Sequence, residues 1–383
     1  MSLYIHRKLE KTLKKYLSVF SIVGVTGPRQ SGKTSMLKEI CGKEYTYKSF
    51  DDPTTVNLFY DDPERFMRVN SNRVIFDEAH KVPEIFNYIK IAVDNDRSNY
   101  GKFIITGSAQ FLMMKNISES LAGRIGLLTL LPFEISEIPS HTTRDTIFKG
   151  GYPELVKRNY IDSEEWFASY VETYLQRDLR LLSNIGDVRD FNRVIRLLAS
   201  RTSQILNMSD VSKELGIAVS TVKRWISILE MSYIIFLLPP YYENLGKRII
   251  KSPKIYFYDT GLVSFLTGIS NYDLFSKGPM RGSIFENFVV SEIIKKEKHS
   301  DTMAGLYYIR TNHGVEVDLV IDRKTFQQFI EIKNSETFSP QMAKSIESLM
   351  QKENQNGFVI YRGKDITYSE NITAVSYEKY LMN

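Results

Sequence analysis

The stretch that decides the fold is "SIVGVTGPRQSGKTSMLKEI", residues 21–40. Its apolar start, residues 21–26, predicts a buried strand, and "SMLKEI" predicts the helix that follows. Between them, "GPRQSGKT" fits the pattern G-x-x-x-x-G-K-[ST] in the strand-then-helix context that the pattern requires. The sequence therefore predicts an α/β fold that begins with a phosphate-binding (P-loop) segment.

Each part of this loop has an expected task. The glycines let backbone N–H groups surround phosphate oxygens, and the helix presents its positive end to them. Lys33 is expected to reach the β- and γ-phosphates of ATP, and the Thr34 hydroxyl to bind Mg²⁺. The loop positions expected to contact the nucleotide are Gly27, Gln30, Ser31, Gly32, Lys33, Thr34 and Ser35.

A second element of such a site lies in "RVIFDEAHKVP", residues 73–83. Asp77 ends a buried-strand pattern, at the edge of a parallel sheet where ligands bind. Asp77 is expected to hold Mg²⁺, and Glu78 to polarise the attacking water. The letters "DEAH" also spell a helicase box, but such helicases need a second ATPase lobe. Nothing after residue 160 resembles one, so we interpret His80 as a coincidental match.

Two further segments contribute candidate residues. In "KFIITGSAQFLM", Ser108 follows a strand pattern and is expected to contact the γ-phosphate or the attacking water, although simple strand termination is an alternative. In "LAGRIG", Arg124 is expected to stabilise transition-state charge, in its own subunit or in a neighbour's. A role in a neighbour requires a homo-oligomer. The alternative for Arg124 is a surface salt bridge.

The middle of the chain contains "MSDVSKELGIAVSTVKRWISILEMSYII", residues 208–235. We interpret it as a helix-turn-helix with Ser209 as N-cap, Gly216 in the turn and a second helix from about Ser220. A hairpin predicted within residues 233–259 would make it a winged helix. If DNA binds here, the expected contacts are Ser220, Thr221, Lys223, Arg224, Lys247, Arg248, Lys251 and Lys254. The alternative is a packing or protein-docking module.

Near the C-terminus, "GVEVDLVIDRKTFQQFIEIK" spans residues 314–333. Two strand patterns flank a short turn, which predicts a hairpin with Asp318 opposite Glu331 at about 5 Å. Because residues two apart share a face of a strand, Glu316 and Lys333 should join them. The apolar residues expected on the opposite face are Val317, Leu319, Ile321, Ile330 and Ile332.

The helix pattern "GSIFENFVVSEIIKK", residues 282–296, places Glu286 among apolar side chains, which is costly unless the carboxylate is paired or binds metal. We therefore predict Glu286, Asp318 and Glu331 as ligands of Mg²⁺ or Mn²⁺, with Lys333 positioning a water molecule for attack. The order helix, three strands, helix, strand is that of restriction-endonuclease-like PD-(D/E)xK domains. The alternatives are an ordinary hairpin with solvated charges, or a site that binds without cutting.

Length and composition place limits on these hypotheses. At 383 residues, several domains are expected; we predict an ATPase domain over 1–160, a helical and winged-helix domain over 161–270 and a nuclease-like domain over 271–383. No apolar run approaches the roughly 18 residues that span a bilayer. A single cysteine, Cys41, suits the cytoplasm. A net charge of +5 permits contact with DNA without requiring it.

Taken together, the chain resembles bacterial and archaeal AAA+-superfamily ATPases that carry a winged helix and a C-terminal PD-(D/E)xK-like domain. The resemblance covers nearly the full length, in the ordered motifs "GPRQSGKTS", "VIFDEAHKVP", "ITGSAQFLM", "LAGRIG", "GGYPE", "YVETYLQRDL", "KSPKIYFYDTGL", "GSIFENFV", "GVEVDLVI" and "IEIK". It implies ATP binding through Gly32, Lys33, Thr34, Asp77 and Glu78. It also implies a nuclease-type triad at Asp318, Glu331 and Lys333.

Two functional hypotheses follow. The first is a Mg²⁺-dependent ATPase coupled to a C-terminal domain that binds or cleaves DNA. The second is a signalling or assembly ATPase whose C-terminal domains bind a protein partner and catalyse nothing. Both keep ATP and Mg²⁺ at the N-terminal site.

Overall fold

The computed structural model describes residues 4–108, 110–139, 143–175, 188–241, 252–300, 302 and 304–382. Within these ranges the chain forms two sheets, a two-stranded hairpin and helices packed around them. None of the helices in the described ranges is both long and apolar enough to cross a bilayer.

The first sheet carries the predicted phosphate loop. Its five strands are parallel and lie in the order β2-β3-β4-β1-β5. They are β1 (Ile22–Thr26), β2 (Thr46–Ser49), β3 (Val74–Asp77), β4 (Phe103–Thr106) and β5 (Ile125–Thr129). The central strands β1, β3 and β4 are buried throughout, which explains their continuous apolar runs.

Helices cover both faces of this sheet and complete two apolar cores. The helices are α1 (Leu9–Leu17), α2 (Lys33–Cys41), α3 (Pro53–Asp61), α4 (Pro63–Val69), α5 (Ile85–Asp94) and α6 (Gln110–Ser120). Residues of α1 and α2 pack on one face, and residues of α3 to α6 pack on the other. Cys41 is buried in the first of these cores, and burial raises the pKa of its thiol to about 11.

The described parts of the middle region, residues 143–175, 188–241 and 252–277, are mainly helical. Its helices are α7 (Thr143–Lys149), α8 (Pro153–Lys157), α9 (Ser163–Tyr170), α10 (Val188–Ser200), α11 (Met208–Leu215), α12 (Val219–Met231), α13 (Thr260–Leu266) and α14 (Tyr272–Lys277). Strands β6 (Ile235–Leu238) and β7 (Lys254–Phe257) pair antiparallel after α12. Gly216 has a positive φ of 70° at the turn between α11 and α12. The N-cap of α11 is Asn207, two residues before the predicted Ser209, because the Asn207 side chain accepts from the N–H groups of Ser209 and Asp210.

Two motifs that the sequence resemblance rests on meet inside the middle region. Asp259, from "YDTGL", is buried and accepts hydrogen bonds from the N–H groups of Gly151 and Leu262 at 2.7 and 3.1 Å. Gly150, from "GGYPE", has φ of 78°, and a Cβ there would lie 2.1 Å from Asp259 Oδ1. These residues therefore join the end of the ATPase region to α13 and form part of the fold.

The C-terminal region begins with the long helix α15 (Arg281–His299) and contains a six-stranded sheet in the order β12-β13-β11-β10-β9-β8. Its other elements are β8 (Gly305–Arg310), β9 (Glu316–Asp322), β10 (Gln327–Lys333), α16 (Lys344–Leu349), β11 (Gln355–Tyr361), β12 (Ile366–Thr367), β13 (Ile372–Ser376) and α17 (Tyr377–Met382). The predicted helix, three strands, helix and strand are present in order; β12, β13 and α17 were not predicted.

One apolar core joins the middle and C-terminal regions, extending in sequence from Leu131 to Leu381. Leu319, Ile321, Ile330 and Ile332 face this core, as predicted for one side of the hairpin. Val317 instead packs in the core on the other face of the sheet, beside Val320 and Phe329. The register between β8 and β9 shifts near Tyr307, which breaks the simple two-residue alternation.

Candidate functional site

The phosphate loop has the backbone shape that the sequence predicts. Gly32 has φ of 94° immediately before α2, and Gly27 has φ of 136° immediately after β1. A Cβ on Gly27 would lie 2.1 Å from the carbonyl oxygen of Leu130, so only glycine fits there. The Lys33 ammonium donates to the carbonyls of Gly27 and Pro28 at 3.0 and 2.8 Å, which holds it inside the loop.

The candidate magnesium ligands Thr34 and Asp77 are brought together. The Thr34 hydroxyl donates to Asp77 Oδ2 over 3.0 Å, and the Tyr47 hydroxyl donates to the same oxygen. Burial raises the pKa of Asp77, and the Tyr47 and Thr34 hydrogen bonds oppose that rise. A hydroxyl and a buried carboxylate side by side are hard oxygen donors of the kind that Mg²⁺ requires, so these residues fit the ion.

Glu78 is held in place by two hydrogen bonds from Ser108. Its Oε2 accepts from the Ser108 N–H at 3.0 Å and from the Ser108 hydroxyl at 2.9 Å. His80 Nδ1 lies 3.2 Å from the same oxygen, so this histidine contacts the site although sequence analysis set it aside. Glu78 has φ of 53°, a left-handed conformation that costs about 1–3 kcal/mol at a residue other than glycine.

The loop opens into a cleft of about 500 Å³ whose far wall belongs to the middle region. The loop, Glu78 and Ser108 form one side. Helices α8 and α9 and the residues between them provide the other side, which is lined by Pro153, Glu154, Lys157, Arg158 and Trp166. Two cationic side chains thus face the phosphate loop from a separate part of the chain, which sequence analysis did not predict.

Arg124 lies away from this cleft. It immediately precedes β5, whose residue Ile125 pairs with Ile22 at the start of β1, whereas Gly27 follows the end of β1. The five residues of β1, at about 3.3 Å each, separate the end of the sheet near Arg124 from the end near Gly27 by roughly 16 Å. Arg124 forms a two-pronged ion pair with Asp94, at 2.8 and 3.0 Å. The expectation that Arg124 acts in its own subunit is therefore corrected, because it sits at the opposite edge of the sheet.

Arg7, which sequence analysis did not single out, supports the loop from behind. Its guanidinium donates to the carbonyls of Ser31 and Leu131 at 2.8 and 2.6 Å and pairs with Glu137 at 3.2 Å. His299, the last residue of α15, accepts a hydrogen bond from the Leu131 N–H at 3.1 Å through Nε2. The far end of α15 therefore reaches the same backbone that Arg7 holds.

The protonation of His299 follows from its partners. Since Nε2 accepts, Nδ1 carries the proton and donates to Glu134 Oε1 at 2.5 Å. Burial lowers the pKa of His299 to about 3. Side chains that can bind metal (His, Cys, Asp and Glu) form one group of three in the described ranges with ligand atoms within 4.8 Å of one another. The group is Glu134, Glu137 and His299. Arg7 is paired with Glu137, so a protein cation already compensates this cluster.

The C-terminal hairpin has the predicted register. The ladder between β9 and β10 runs from Asp322 opposite Gln327 to Leu319 opposite Ile330, which is the predicted register over these four pairs. Asp318 Oδ2 accepts from the Ile332 N–H at 2.9 Å, and Lys333 pairs with Glu331 at 2.5 Å. The three residues of the predicted triad therefore share one end of the sheet.

The expected metal site, however, contains an unexpected residue. Lys254, predicted to contact DNA phosphates, is only 2% exposed. Its ammonium lies 3.1 Å from Glu286, 2.5 Å from Glu316 and 3.4 Å from Asp318. Its assignment as a surface phosphate contact is wrong, because three carboxylates of the C-terminal region surround it. Glu286, Asp318 and Glu331 do not bring one oxygen each within 4.8 Å of one another, so this form of the cluster does not fit a metal ion.

Burial controls the charges of this cluster. It raises the pKa of Glu286 to about 7 and, with the charge of Asp318, the pKa of Glu331 to about 8. Burial alone would lower the pKa of Lys254, but Glu286, Tyr256, Asp318 and Glu316 raise it well above its ordinary value. The Lys254 ammonium is therefore charged, and it compensates the carboxylates around it.

The residues predicted to contact DNA lie on the second helix of the helix-turn-helix. Ser220, Lys223 and Arg224 of α12 are exposed and Thr221 is half-buried. Val222, Trp225, Ile226 and Leu229 are buried on the other side of α12, as their spacing predicts. Three other candidates, Lys247, Arg248 and Lys251, lie outside the described residues. DNA contact at α12 stays a prediction.

Comparison with known proteins places the chain in a family. An AAA-domain family matches residues 19–139, and domains of unknown function DUF8612 and DUF4143 match residues 140–273 and 281–380. Uncharacterized protein Rv2008c of Mycobacterium tuberculosis is 30% identical over 340 residues, which cover 88% of this chain and 75% of that protein. The chain belongs to the family of this protein. Because the chain contains an AAA domain, this family is an AAA-like ATPase family.

More distant similarity extends to archaea. Uncharacterized protein MJ1544 of Methanocaldococcus jannaschii is 24% identical over 335 residues, covering 78% of this chain and 71% of that protein. Among solved structures, the Walker-type ATPase PABY2304 of Pyrococcus abyssi aligns with a TM-score of 0.48 and 15% identity, over 69% of this chain and 96% of that one.

Proposed function

We propose that this chain is a Mg²⁺-dependent ATP hydrolase. The observation that carries the proposal is a pair of hydrogen-bonded contacts beside the phosphate loop. The Thr34 hydroxyl contacts Asp77, and Ser108 holds the neighbouring Glu78. A metal-binding pair and an oriented general base are the parts that phosphoryl transfer to water requires.

Each residue has a role in this proposal. Lys33 and the N–H groups that begin α2 bind the phosphates, and Thr34 and Asp77 hold Mg²⁺. When bound, Mg²⁺ supplies positive charge that offsets charge on the β- and γ-phosphates. Glu78 accepts a proton from a water molecule as the water oxygen attacks the γ-phosphorus and ADP leaves. The hydrogen bonds from Ser108 fix the direction in which the Glu78 carboxylate points.

The far wall of the cleft connects this reaction to the rest of the chain. Lys157 and Arg158 face the loop from α8 and the residue after it, and we propose that they bind the phosphates of ATP. Nucleotide binding then pulls the middle region toward the parallel sheet, and loss of the γ-phosphate weakens that attraction.

Lys33→Ala tests the ATP site. The variant should lose binding of a fluorescent ATP analogue and lose ATP turnover. Lys48→Ala is a matched control, because Lys48 lies on β2 outside the cleft lining. Turnover in Lys33→Ala at the rate of the unaltered chain would contradict the site assignment.

For the C-terminal region we propose a second activity, metal-dependent cleavage of nucleic acid. Asp318, Glu331 and Lys333 at one end of the sheet, with Glu286 beside them, support it. In this proposal the middle region is a winged helix whose exposed side of α12 faces the DNA, and the C-terminal region is a nuclease-like domain. The test compares cleavage of supercoiled, linear and single-stranded DNA by the unaltered chain and by Asp318→Ala, with Mg²⁺ or Mn²⁺, with and without ATP.

The outcomes separate the two hypotheses for the C-terminal region. Cleavage that Asp318→Ala abolishes while ATP turnover persists supports the coupled ATPase and nuclease. No cleavage, and DNA binding that does not weaken steeply as salt is raised, supports the alternative of a signalling or assembly ATPase with a protein partner.

A further inference from the structure

Lys254 belongs to one part of the chain, and the carboxylates that surround it belong to another. Lys254 begins β7, in the middle region. Glu286 lies on α15, and Glu316 and Asp318 lie on β9, all in the C-terminal region. The ammonium is within 3.4 Å of an oxygen of each carboxylate. A cation from one region thus occupies the carboxylate cluster of another.

The surroundings of β7 hold Lys254 firmly in this position. Lys254 pairs with Leu238 in the hairpin and forms a bridge with Ile205. Two residues further along β7, Tyr256 donates to Glu286 Oε1 at 2.7 Å. The Asn287 amide accepts from the Phe257 N–H and donates to the Phe257 carbonyl, both at 2.8 Å. The ammonium is therefore placed by a docked strand and not by a mobile surface side chain.

The cluster also contains a carboxylate oxygen that accepts no hydrogen bond from a described residue. Glu331 is buried, and its Oε2 has no hydrogen-bond partner among the described residues. Lys333 pairs with the other oxygen, Oε1. A buried carboxylate oxygen without a partner is costly, and a divalent ion that replaced the Lys254 ammonium could satisfy it.

A divalent ion and the Lys254 ammonium compete for the same ligands. Mg²⁺ binds carboxylate oxygens at about 2.0–2.1 Å. An ion that used Glu286 Oε1 and Asp318 Oδ1 would need the oxygens that Lys254 now contacts, and it would lie against the ammonium. Both cations cannot occupy the cluster with β7 docked as it is.

We propose that Lys254 is the resident cation of this cluster and excludes divalent metal until β7 moves away. This inference rests on the C-terminal half of the proposed function, and it concerns the regulation of that site. The docked middle region keeps the cluster closed to metal, and withdrawal of β7 frees Glu286 and Asp318 for a divalent ion.

Mn²⁺ binding measures this competition without relying on any activity. Full-length chain is titrated with Mn²⁺ in the absence of nucleotide, and free Mn²⁺ is followed by electron paramagnetic resonance. Four proteins are compared: the unaltered chain, Lys254→Met, Lys254→Met with Asp318→Asn, and Lys277→Met. Lys277 is the matched control because it makes an exposed ion pair with Asp273.

The expected result is a gain of one bound Mn²⁺ per chain in Lys254→Met, lost again in the double variant and absent from Lys277→Met. Failure of a folded Lys254→Met to gain this ion would overturn the proposal and leave Lys254 as a structural counter-ion. Retained binding of a fluorescent ATP analogue shows that the variants are folded. Because the readout is metal binding, lack of DNA cleavage leaves this result unaffected.

A second comparison needs no change at Lys254. If Lys254 excludes metal, Asp318→Asn in an otherwise unaltered chain binds as much Mn²⁺ as the unaltered chain does. A loss of one Mn²⁺ on this substitution would mean that the cluster already holds metal beside Lys254, which overturns the proposal.

Discussion

Ser108 donates two hydrogen bonds to one oxygen of Glu78, from its backbone N–H at 3.0 Å and from its hydroxyl at 2.9 Å. Ser108 follows β4 and Glu78 follows β3, so two neighbouring strand ends fix the direction of one carboxylate. These two hydrogen bonds fix the orientation of the Glu78 carboxylate, as a general base requires.

Ser108→Ala should therefore slow ATP turnover without preventing ATP binding. A hydrogen bond to a charged group contributes about 1.5–3 kcal/mol, so kcat should fall about tenfold or more, with a smaller change in KM. Steady-state kinetics measure both constants. Ser118→Ala, on helix α6, is the control, since its hydroxyl donates to the Lys115 carbonyl on the surface. An unchanged kcat for Ser108→Ala would show that Glu78 does not need this bond.

Arg124 should act only in the ATP site of a neighbouring subunit. Arg124→Ala should then lower kcat while ATP binding persists, because its own cleft lies at the other edge of the sheet. Mixing Arg124→Ala with Lys33→Ala should restore part of the turnover, since each chain supplies the residue that the other lacks. Arg97→Ala, which also loses a contact with Asp94, should not do this. A mixture as inactive as its separate components would contradict the prediction.

Gly150→Ala should destabilise the chain strongly. The substitution adds a Cβ 2.1 Å from the buried Asp259 carboxylate and strains a backbone with φ of 78°. We expect a loss of about 2–4 kcal/mol in the free energy of unfolding, measured by urea denaturation. Gly216→Ala separates the two causes. Gly216 has φ of 70° but open space around it, so only about 1–2 kcal/mol should be lost there. Equal losses for both variants would rule out the Asp259 contact as a cause.

Stability should fall as pH drops below about 6.5, with His299 as one cause. The folded pKa of His299 is about 3 because of burial, whereas an unfolded histidine titrates near 6.5. Between these values the unfolded chain binds the proton and the folded chain does not, so stability is lost as pH falls. The contribution is at most about 1.4 kcal/mol per pH unit.

Urea denaturation at pH 7.5, 6 and 5 measures this effect. Burial raises the pKa of the partner Glu134, which acts in the opposite direction over its own range. A comparison with His299→Gln is therefore needed, and that variant should lose less stability from pH 7.5 to pH 5. The exposed His313→Gln should behave as the unaltered chain. An equal slope for His299→Gln would exclude His299 as the titrating group.

Sequence predicts the parts of these sites that depend on neighbouring residues. The loop from Gly27 to Thr34, the strand-end pair Asp77 and Glu78, and the register of β9 against β10 all follow from local patterns. Strand ends and tight turns fix side chains over a few residues, and that information is contained in one short segment.

What sequence reasoning misses are contacts between distant segments. Lys254 looks like a surface cation because the carboxylates around it are distant in sequence, with Glu286 and Asp318 lying 32 and 64 residues away. Arg7 meets Glu137 across 130 residues. No local period encodes such pairs, since only the packing of whole regions brings them together.

Helix α15 runs from the carboxylate cluster around Lys254 to the backbone behind the phosphate loop. Glu286, near its start, contacts Lys254. His299, at its end, accepts from the Leu131 N–H, and Arg7 donates both to the Leu131 carbonyl and to the Ser31 carbonyl of the phosphate loop. Thirteen residues at 1.5 Å each separate Glu286 from His299 by about 20 Å. Suppose that ATP changes the affinity of the carboxylate cluster for a divalent ion by some factor. Thermodynamic reciprocity then requires that the ion change the affinity for ATP by the same factor.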